Sequence, residues 1–199
     1  MLLAADDCQL VLVDYQTRLM PAIHGGDEAV RNAVRLAQAA RLLGVPLWAT
    51  EQNPAGLGPT VEALRPLVEG RVIAKTAFGA AELLLPRLQP AARPPQGNAR
   101  SLPRHLQKAV PAPARETLLL AGCETHVCLL QTALGLLEAE VDVWVVTDAS
   151  SSRTERNRDA AFDRLAAAGA ELVTTEMVVF EWLRDATHPN FREALALVK

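Results

Sequence analysis

A cysteine in the first turn of a predicted helix is the residue in this sequence best suited to covalent chemistry. Residues 118–133 combine an apolar strand, a glycine turn and a helix, and Cys128 lies where the helix begins. A thiol at this place lies near the positive end of the helix dipole and beside unpaired backbone N–H groups, which favour the thiolate and can hold a developing oxyanion. We therefore predict that Cys128 is a nucleophile and that the backbone N–H groups of Glu124 and Cys128 form its oxyanion hole.

Two charged residues, Asp14 and Lys75, each stand at the end of a short apolar run that is typical of a strand. An unperturbed thiol has a pKa of roughly 8.5 and is only a few per cent thiolate at neutral pH, so Cys128 needs a base. A carboxylate at the end of an apolar strand is costly to bury without a cation or a proton to transfer, which suits Asp14 as the base and Lys75 as the cation. Each residue alone could be an ordinary structural or surface residue, but the three together predict a cysteine hydrolase.

The other cysteines and histidines suit structural roles better. Cys8 precedes the first predicted strand, and Cys123 lies in the glycine turn. His126 is only two residues from Cys128, so the two side chains diverge, and we expect His126 in a pocket wall or at a helix cap. No pair of histidines has the spacing of metal ligands near an acidic residue, so we expect no bound metal and no other cofactor.

Charge and composition exclude several classes of function. The 199 residues carry a formal net charge of −3, with acidic and basic residues interspersed, and they lack the basic stripe that nucleic-acid binding requires. No apolar stretch approaches the roughly 20 residues that span a bilayer, and the first residues do not resemble a signal peptide. Three cysteines are too few for a disulfide framework, which fits a reducing compartment. We therefore expect a soluble, cytoplasmic protein that binds neither nucleic acid nor membrane.

Six apolar runs alternate with helical patterns along the chain. The predicted strands cover residues 9–14, 46–50, 71–75, 117–121, 141–148 and 171–174. The predicted helices cover residues 28–43, 60–67, 80–88, 126–139, 154–168 and 176–183, with Asp27 and Thr175 as caps of the first and the last. Continuous apolarity is typical of parallel strands covered on both faces, and alternation with helices implies right-handed crossovers. We predict a three-layer, Rossmann-like α/β fold, with a six-stranded parallel sheet and helices on both faces.

The order of the strands decides whether the three candidate residues meet. In the common order 3-2-1-4-5-6, the switch point falls between the first and fourth strands, which end at Asp14 and at the turn before Cys128. Lys75, at the end of the third strand, then closes the group from the outer side. This order therefore brings the three residues together at one edge of the sheet.

The length favours one domain over residues 1–199, since about 100 to 200 residues per domain is usual. Residues 86–113 hold seven of the thirteen prolines in the chain, a density that breaks regular elements. We interpret this segment as a surface excursion with one helical turn at residues 102–108.

Four motifs occur in order along nearly the whole chain: LVDYQ at residues 12–16, AKTAF at 74–78, GCETHVC at 122–128 and DASSSR at 148–153. They resemble the motifs of the isochorismatase-like cysteine hydrolases, the superfamily that includes nicotinamidase and N-carbamoylsarcosine amidohydrolase. The resemblance implies a Rossmann-like sheet and a catalytic triad of Asp14, Lys75 and Cys128. It also implies a cis peptide bond between Cys123 and Glu124.

The sequence departs from two branches of this superfamily. Nicotinamidases carry an aspartate and histidines after the second strand that hold a metal, whereas this chain has TEQNP at residues 50–54, which argues against a nicotinamidase. True isochorismatases, which cleave a vinyl ether, lack the cysteine, so Cys128 indicates carbonyl chemistry instead. The loop at residues 51–58 is similar to that of a subgroup whose substrates are generally undefined.

We predict a metal-independent hydrolase that cleaves a small amide or related C–N bond through a thioester on Cys128. The substrate is a small molecule, and the expected pocket residues are Gln16, Leu19, Gln52, Phe78 and His126. Because members of the family commonly associate, we also expect a homo-oligomer, a dimer or larger. Two alternatives stay open: a thiol redox sensor or non-catalytic scaffold on the same fold, and vinyl ether hydrolysis of the isochorismatase type.

Overall fold

Six parallel strands form the central sheet of the computed structural model, which describes residues 2–88 and 115–199 together with the backbone of residues 92–93 and 110–111. The strands are β1 (Cys8–Val13), β2 (Leu47–Gln52), β3 (Val72–Lys75), β4 (Thr117–Gly122), β5 (Asp142–Val146) and β6 (Glu171–Val173). They lie in the order β3-β2-β1-β4-β5-β6, and every neighbouring pair is parallel. The predicted fold class and strand order are therefore confirmed.

Helices cover both faces of the sheet. They are α1 (Gly26–Leu42), α2 (Pro54–Leu57), α3 (Ala81–Leu88), α4 (Leu130–Glu138), α5 (Glu155–Ala167), α6 (Thr175–Leu183) and α7 (Phe191–Val198). Alternate residues of β1 enter two separate cores, because successive side chains of a strand point to opposite faces. Leu10 and Leu12 pack with α1, α6 and α7, whereas Val11 and Val13 pack with α3, α4 and α5.

Two helix caps differ from their predictions. α1 begins after Gly25, which adopts a left-handed conformation with φ of 62°. Asp27 therefore lies inside the first turn, where its negative charge interacts favourably with the helix dipole. Thr174 caps α6 through its side chain. The N–H and hydroxyl of Thr175 donate instead to Asp148, at 2.8 and 2.9 Å, because the carboxylate after β5 competes for them.

One helix is much shorter than predicted, another begins with a π-helical turn, and α7 was not predicted. The helix expected over residues 60–67 is a single 3-10 turn at Arg65–Leu67. The N–H and hydroxyl of Thr60 donate to Glu51 Oε1 at 2.6 and 2.8 Å, which ties this residue to the end of β2 rather than to a helix. The helix expected over residues 126–139 begins with a π-helical turn, Thr125–Leu129, and continues as α4.

The start of the proline-rich segment is regular. α3 continues through Pro86 to its end at Leu88, and residues 92–93 pair antiparallel with residues 110–111. The helical turn predicted at residues 102–108 lies outside the described residues. Within the described ranges, every helix is too short or too polar to cross a membrane.

Candidate active site

Asp14 is held at the end of β1 by two partners. Its backbone adopts φ of 55°, a conformation that short polar residues tolerate better than most. The carboxylate is fully buried, Oδ2 accepts a hydrogen bond from Lys75 Nζ at 2.7 Å, and Oδ1 accepts one from Thr50 Oγ1 at 2.6 Å. A buried carboxylate needs such partners, and both of its oxygens have one.

Lys75 ends β3, and its fully buried ammonium makes three short hydrogen bonds. The acceptors are Asp14 Oδ2 at 2.7 Å, Gln52 Oε1 at 2.9 Å and the Phe78 carbonyl at 2.8 Å, with the Ala77 carbonyl farther away at 3.4 Å. Because an ammonium group has three donors, these contacts occupy all of its protons. The position of the Lys75 side chain is therefore fixed.

Cys128 lies in the π-helical turn that follows β4, and it is 6 % exposed. Burial raises the pKa of the Cys128 thiol to about 12, the charge of Asp14 acts in the same direction, and the charge of Lys75 opposes it. The charges that act on this thiol are those of Asp14 and Lys75, so the thiol lies near the ion pair. We expected the helix terminus to favour the thiolate, whereas burial raises the pKa of the thiol in the folded protein.

The turn between β4 and Cys128 requires glycine at position 122. Gly122 has φ of 155°, and a Cβ placed on it would lie 2.2 Å from the carbonyl oxygen of Val13. The Cys123 N–H donates to that same carbonyl at 3.0 Å. Absence of a side chain thus lets the turn approach the end of β1 closely, which brings the start of the π-helical turn next to Asp14.

The peptide bond between Cys123 and Glu124 is cis, at the position that the resemblance to cysteine hydrolases implies. The N–H groups of Val127 and Leu129 both donate to the Glu124 carbonyl, at 3.0 and 3.3 Å. The two residues that flank Cys128 thus share this acceptor. The N–H groups of Glu124 and Cys128 remain the proposed oxyanion hole.

Four consecutive residues after β5, 150–153, each hydrogen-bond to the turn that precedes Cys128. The contacts join Ser150 Oγ to the Gly122 N–H at 3.1 Å, the Ser151 carbonyl to the Thr125 N–H at 2.9 Å, Ser152 Oγ to His126 Nδ1 at 3.0 Å, and the Arg153 guanidinium to the Glu124 carboxylate. Hydrogen bonding from Arg153 lowers the pKa of Glu124. This gives a structural reason for the DASSSR motif at residues 148–153.

A groove of about 750 Å³ lies beside Lys75, between the ends of β2 and β3 and helices α3 and α4. Lys75 and Phe78 line it, and Phe78 is 54 % exposed. Asp14 and Cys128 are not among its lining residues, so the groove meets the triad at Lys75.

Of the five predicted pocket residues, only Phe78 lines this groove. Gln16 is fully buried, and its amide bonds to the backbone of Gln52 and Gly58. The Gln52 side chain bonds Lys75 Nζ and the Thr76 carbonyl. The other two lie elsewhere: Leu19 packs against the core under α1, and His126 contacts Ser152 and Asn157.

Several residues of the site were not predicted from the sequence. They are Thr50, which bonds Asp14, Thr132, whose hydroxyl donates to the Cys128 carbonyl at 2.6 Å, and Ser150 and Arg153, which hold the turn. Thr50 had a detectable signal, because it ends the strand predicted to lie next to β1. Within the described residues, no group of three or more His, Cys, Asp and Glu side chains is placed to hold a metal ion.

Comparison with known proteins gives related sequences and structures of the same fold. The chain is 38 % identical over 191 residues to isochorismatase domain-containing protein 2A of Mus musculus, which covers 96 % of this chain and 82 % of that protein. The structure of the MAR1 ribonuclease from Caenorhabditis elegans is 31 % identical with a TM-score of 0.82, and the match covers 100 % of this chain and 92 % of that one.

Two bacterial structures of YcaC are also similar. YcaC from Pseudomonas aeruginosa, solved with hexane-2,5-diol and covalent acrylamide, is 27 % identical with a TM-score of 0.79, covering 98 % of this chain and 91 % of that one. The Escherichia coli protein, described as an octameric hydrolase of unknown specificity, is 27 % identical with a TM-score of 0.77, covering 100 % and 87 %. Residues 8–177 match the family model of the isochorismatase domain. The chain therefore belongs to the isochorismatase family and has the fold of that family's hydrolases.

Proposed function

We propose that this protein is a metal-independent cysteine hydrolase that cleaves a small amide or related C–N bond through a thioester. The observation that carries the proposal is the buried 2.7 Å contact between Lys75 and Asp14, whose charges both act on the Cys128 thiol. A nucleophile, a base beside it and a cation that fixes the base are the parts that covalent acyl transfer needs.

In the first half of the reaction, Cys128 Sγ attacks the substrate carbonyl carbon while its proton passes to the Asp14 carboxylate. Because the thiol has a pKa of about 12, little free thiolate is present, and proton transfer accompanies the attack. The carbonyl electrons move to oxygen, which the N–H groups of Glu124 and Cys128 stabilise. Asp14 then returns the proton to the departing nitrogen as the C–N bond breaks, leaving a thioester.

In the second half, Asp14 takes a proton from a water molecule that attacks the thioester carbon. The C–S bond breaks, the thiol recovers its proton, and a carboxylic acid leaves. Lys75 exchanges no proton in either half, because its three donors bond Asp14, Gln52 and Phe78 throughout. Its role is to keep a positive charge next to the carboxylate.

The groove at Phe78 is the proposed path of the substrate towards Lys75, and its size suits a small molecule. The net charge of −3 supports the prediction that nucleic acid is not the ligand. We also propose a homo-oligomer, in line with the octameric neighbour from E. coli. Three free, buried cysteines support a reducing, cytoplasmic location.

The test combines labelling with turnover. Acrylamide alkylates thiols, so wild type should gain one acrylamide on Cys128, located by peptide mass, and Cys128→Ala should not, whereas the matched control Cys8→Ala should react like wild type. A panel of small amides should release amine with wild type and Cys8→Ala only. An adduct that forms equally in Cys128→Ala removes Cys128 from the nucleophile role, and RNA cleavage by wild type that survives Cys128→Ala would indicate a different activity.

The redox-sensor alternative has less support. A sensor cysteine is accessible and easily deprotonated, whereas burial raises the pKa of both Cys123 and Cys128 to about 12. Vinyl ether hydrolysis, the second alternative, has no use for a cysteine beside Asp14 and Lys75.

A further inference from the structure

Asp14 has two kinds of partner, one at each carboxylate oxygen. Lys75 approaches Oδ2 at 2.7 Å, and Thr50 Oγ1 approaches Oδ1 at 2.6 Å. An ammonium group can only donate hydrogen bonds, whereas a hydroxyl can donate and accept. The hydroxyl can therefore stay hydrogen-bonded to Oδ1 both before and after that oxygen takes up a proton, whereas Lys75 can bond only an oxygen that accepts.

We propose that Thr50 is a positioning residue that holds Oδ1 of Asp14 ready to receive the thiol proton of Cys128. This inference rests on the proposed function and adds a residue to it. While Asp14 is charged, Thr50 donates to Oδ1, which stabilises the charge and fixes the rotation of the carboxylate. When the proton moves from Sγ to Oδ1, the Thr50 hydroxyl keeps its own proton and rotates, so the number of protons on Thr50 does not change in the cycle.

The backbone supports the same role. Thr50 is the register partner of Val13, the last residue of β1, and its carbonyl accepts the Asp14 N–H at 3.2 Å. Thr50 thus holds Asp14 by both main chain and side chain, at the point where the chain leaves the strand with a positive φ. A β-branched residue in a strand has a restricted χ1, so the hydroxyl is preorganised towards Oδ1.

The hydrogen bond to Asp14 distinguishes Thr50 from Gln52, the β2 residue that bonds Lys75. The Gln52 side chain bonds Lys75 and the Thr76 carbonyl but not Asp14, so its removal takes no hydrogen bond from the carboxylate. Thr50 bonds Asp14 directly and is fully buried, so water does not replace its hydroxyl in the folded protein.

The experiment measures the rate at which iodoacetamide alkylates Cys128 between pH 5 and pH 9, with each cysteine followed separately by peptide mass. Thr50→Val keeps the shape of the side chain and removes the hydroxyl, and Thr50→Ser keeps the hydroxyl. We expect the Val variant to react at least roughly tenfold more slowly at neutral pH, since a hydrogen bond to a charged group is lost. Thr50→Ser should stay within about threefold of wild type.

A double-mutant cycle separates positioning from a structural contribution. In an Asp14→Asn background, Thr50→Val should change the rate by less than about twofold, because its effect passes through the carboxylate. Circular dichroism identifies folded variants, and Thr50→Ala replaces Thr50→Val if the latter does not fold. Unchanged alkylation rates in a folded variant lacking the hydroxyl overturn the proposal, and so does an equal loss in Thr50→Ser.

The same data keep this inference distinct from the hydrolase proposal. Alkylation needs the thiol and its base but no amide turnover. If no amide is hydrolysed and Thr50→Val still slows alkylation, the hydrolase proposal fails and the role of Thr50 stands. If amides are hydrolysed and Thr50→Val matches wild type in both assays, the role of Thr50 fails alone.

Discussion

Lys75 Nζ lies 2.7 Å from Asp14 Oδ2, with both side chains fully buried. Because both side chains are buried, bulk water does not hydrate either charge, and each charge is stabilised mainly by its partner. The pair joins β3 to β1 across β2, from which Thr50 bonds Asp14 and Gln52 bonds Lys75. The arrangement fixes the base of the proposed reaction before any substrate binds.

Removing one partner of this pair should destabilise the fold strongly. Lys75→Met leaves Asp14 as a buried carboxylate with only Thr50, and we expect the free energy of unfolding to fall by about 3–5 kcal/mol at neutral pH. Urea unfolding followed by circular dichroism measures the change. The double variant Asp14→Asn/Lys75→Met, which contains no unpaired charge, should be more stable than Lys75→Met alone. A loss below about 1 kcal/mol for Lys75→Met would mean that the pair is not buried as described.

The three buried thiols predict a loss of stability at alkaline pH. Burial raises the pKa from 9.0 to about 11 for Cys8 and to about 12 for Cys123 and Cys128. A raised pKa means that the folded state binds the proton more tightly, so this stabilisation is complete below pH 9.0 and is lost as the pH rises towards 11 to 12. Each thiol should lower the free energy of unfolding by about 1.4 kcal/mol per pH unit in that window.

Urea midpoints from pH 7 to pH 10.5 test this dependence. Cys123→Ala and Cys128→Ala each remove one such thiol. Each variant should therefore lose stability with pH above 9.0 less steeply than wild type, by about 1.4 kcal/mol per pH unit. A midpoint that stays constant over the whole range would show that the thiols are more accessible to water than the structure indicates.

The fold, and the meeting of Asp14 with Lys75 at one edge of the sheet, could be predicted because they depend on features that are local in sequence. Apolar runs of strand length that alternate with helical patterns lead to a parallel sheet, and charged residues at strand ends then meet at one edge. Asp14 and Lys75 satisfy this rule although 61 residues separate them. The glycine turn at Gly122 could also be predicted, because it lies between an apolar run of strand length and a helical pattern.

Other features depend on contacts that no local pattern contains. The helix terminus predicts a lowered pKa for Cys128, but burial by distant segments and the charge of Asp14 raise it. Gln16 and Gln52 were expected to face a ligand, yet both amides are satisfied inside the protein. A polar side chain in a loop has the same sequence signal whether it contacts substrate or backbone, so three-dimensional contacts had to decide.

Gly122 should tolerate no side chain, and a second glycine provides a matched control. A Cβ on Gly122 would lie 2.2 Å from the Val13 carbonyl oxygen, whereas a Cβ on Gly169, which also has a positive φ of 99°, would meet nothing within 4 Å. Gly169→Ala should cost about 1 kcal/mol, from backbone conformation alone. Gly122→Ala should cost more than about 4 kcal/mol, or slow Cys128 alkylation if the turn moves instead. Equal thermal stability of the two folded variants would show that the turn is not packed against β1 in this way.

Arg153 should affect Cys128 without contributing much to stability. Its side chain is 63 % exposed, yet its Nε and Nη2 donate to the Glu124 carboxylate at 2.9 and 2.5 Å. Glu124 supplies one of the two proposed oxyanion-hole N–H groups, so releasing its side chain should loosen the position of that donor. Arg153→Ala should therefore lower kcat for an amide substrate by at least about threefold, with little change in KM or melting temperature.

Arg153→Lys is the matched variant for this prediction. A lysine keeps the charge but cannot make the two-point contact, so its activity should lie between those of wild type and Arg153→Ala. If charge alone matters, Arg153→Lys will equal wild type and the effect of Arg153→Ala will shrink at high salt. If geometry matters, as the two short contacts to Glu124 indicate, the loss will persist in high salt and Arg153→Lys will recover only part of it.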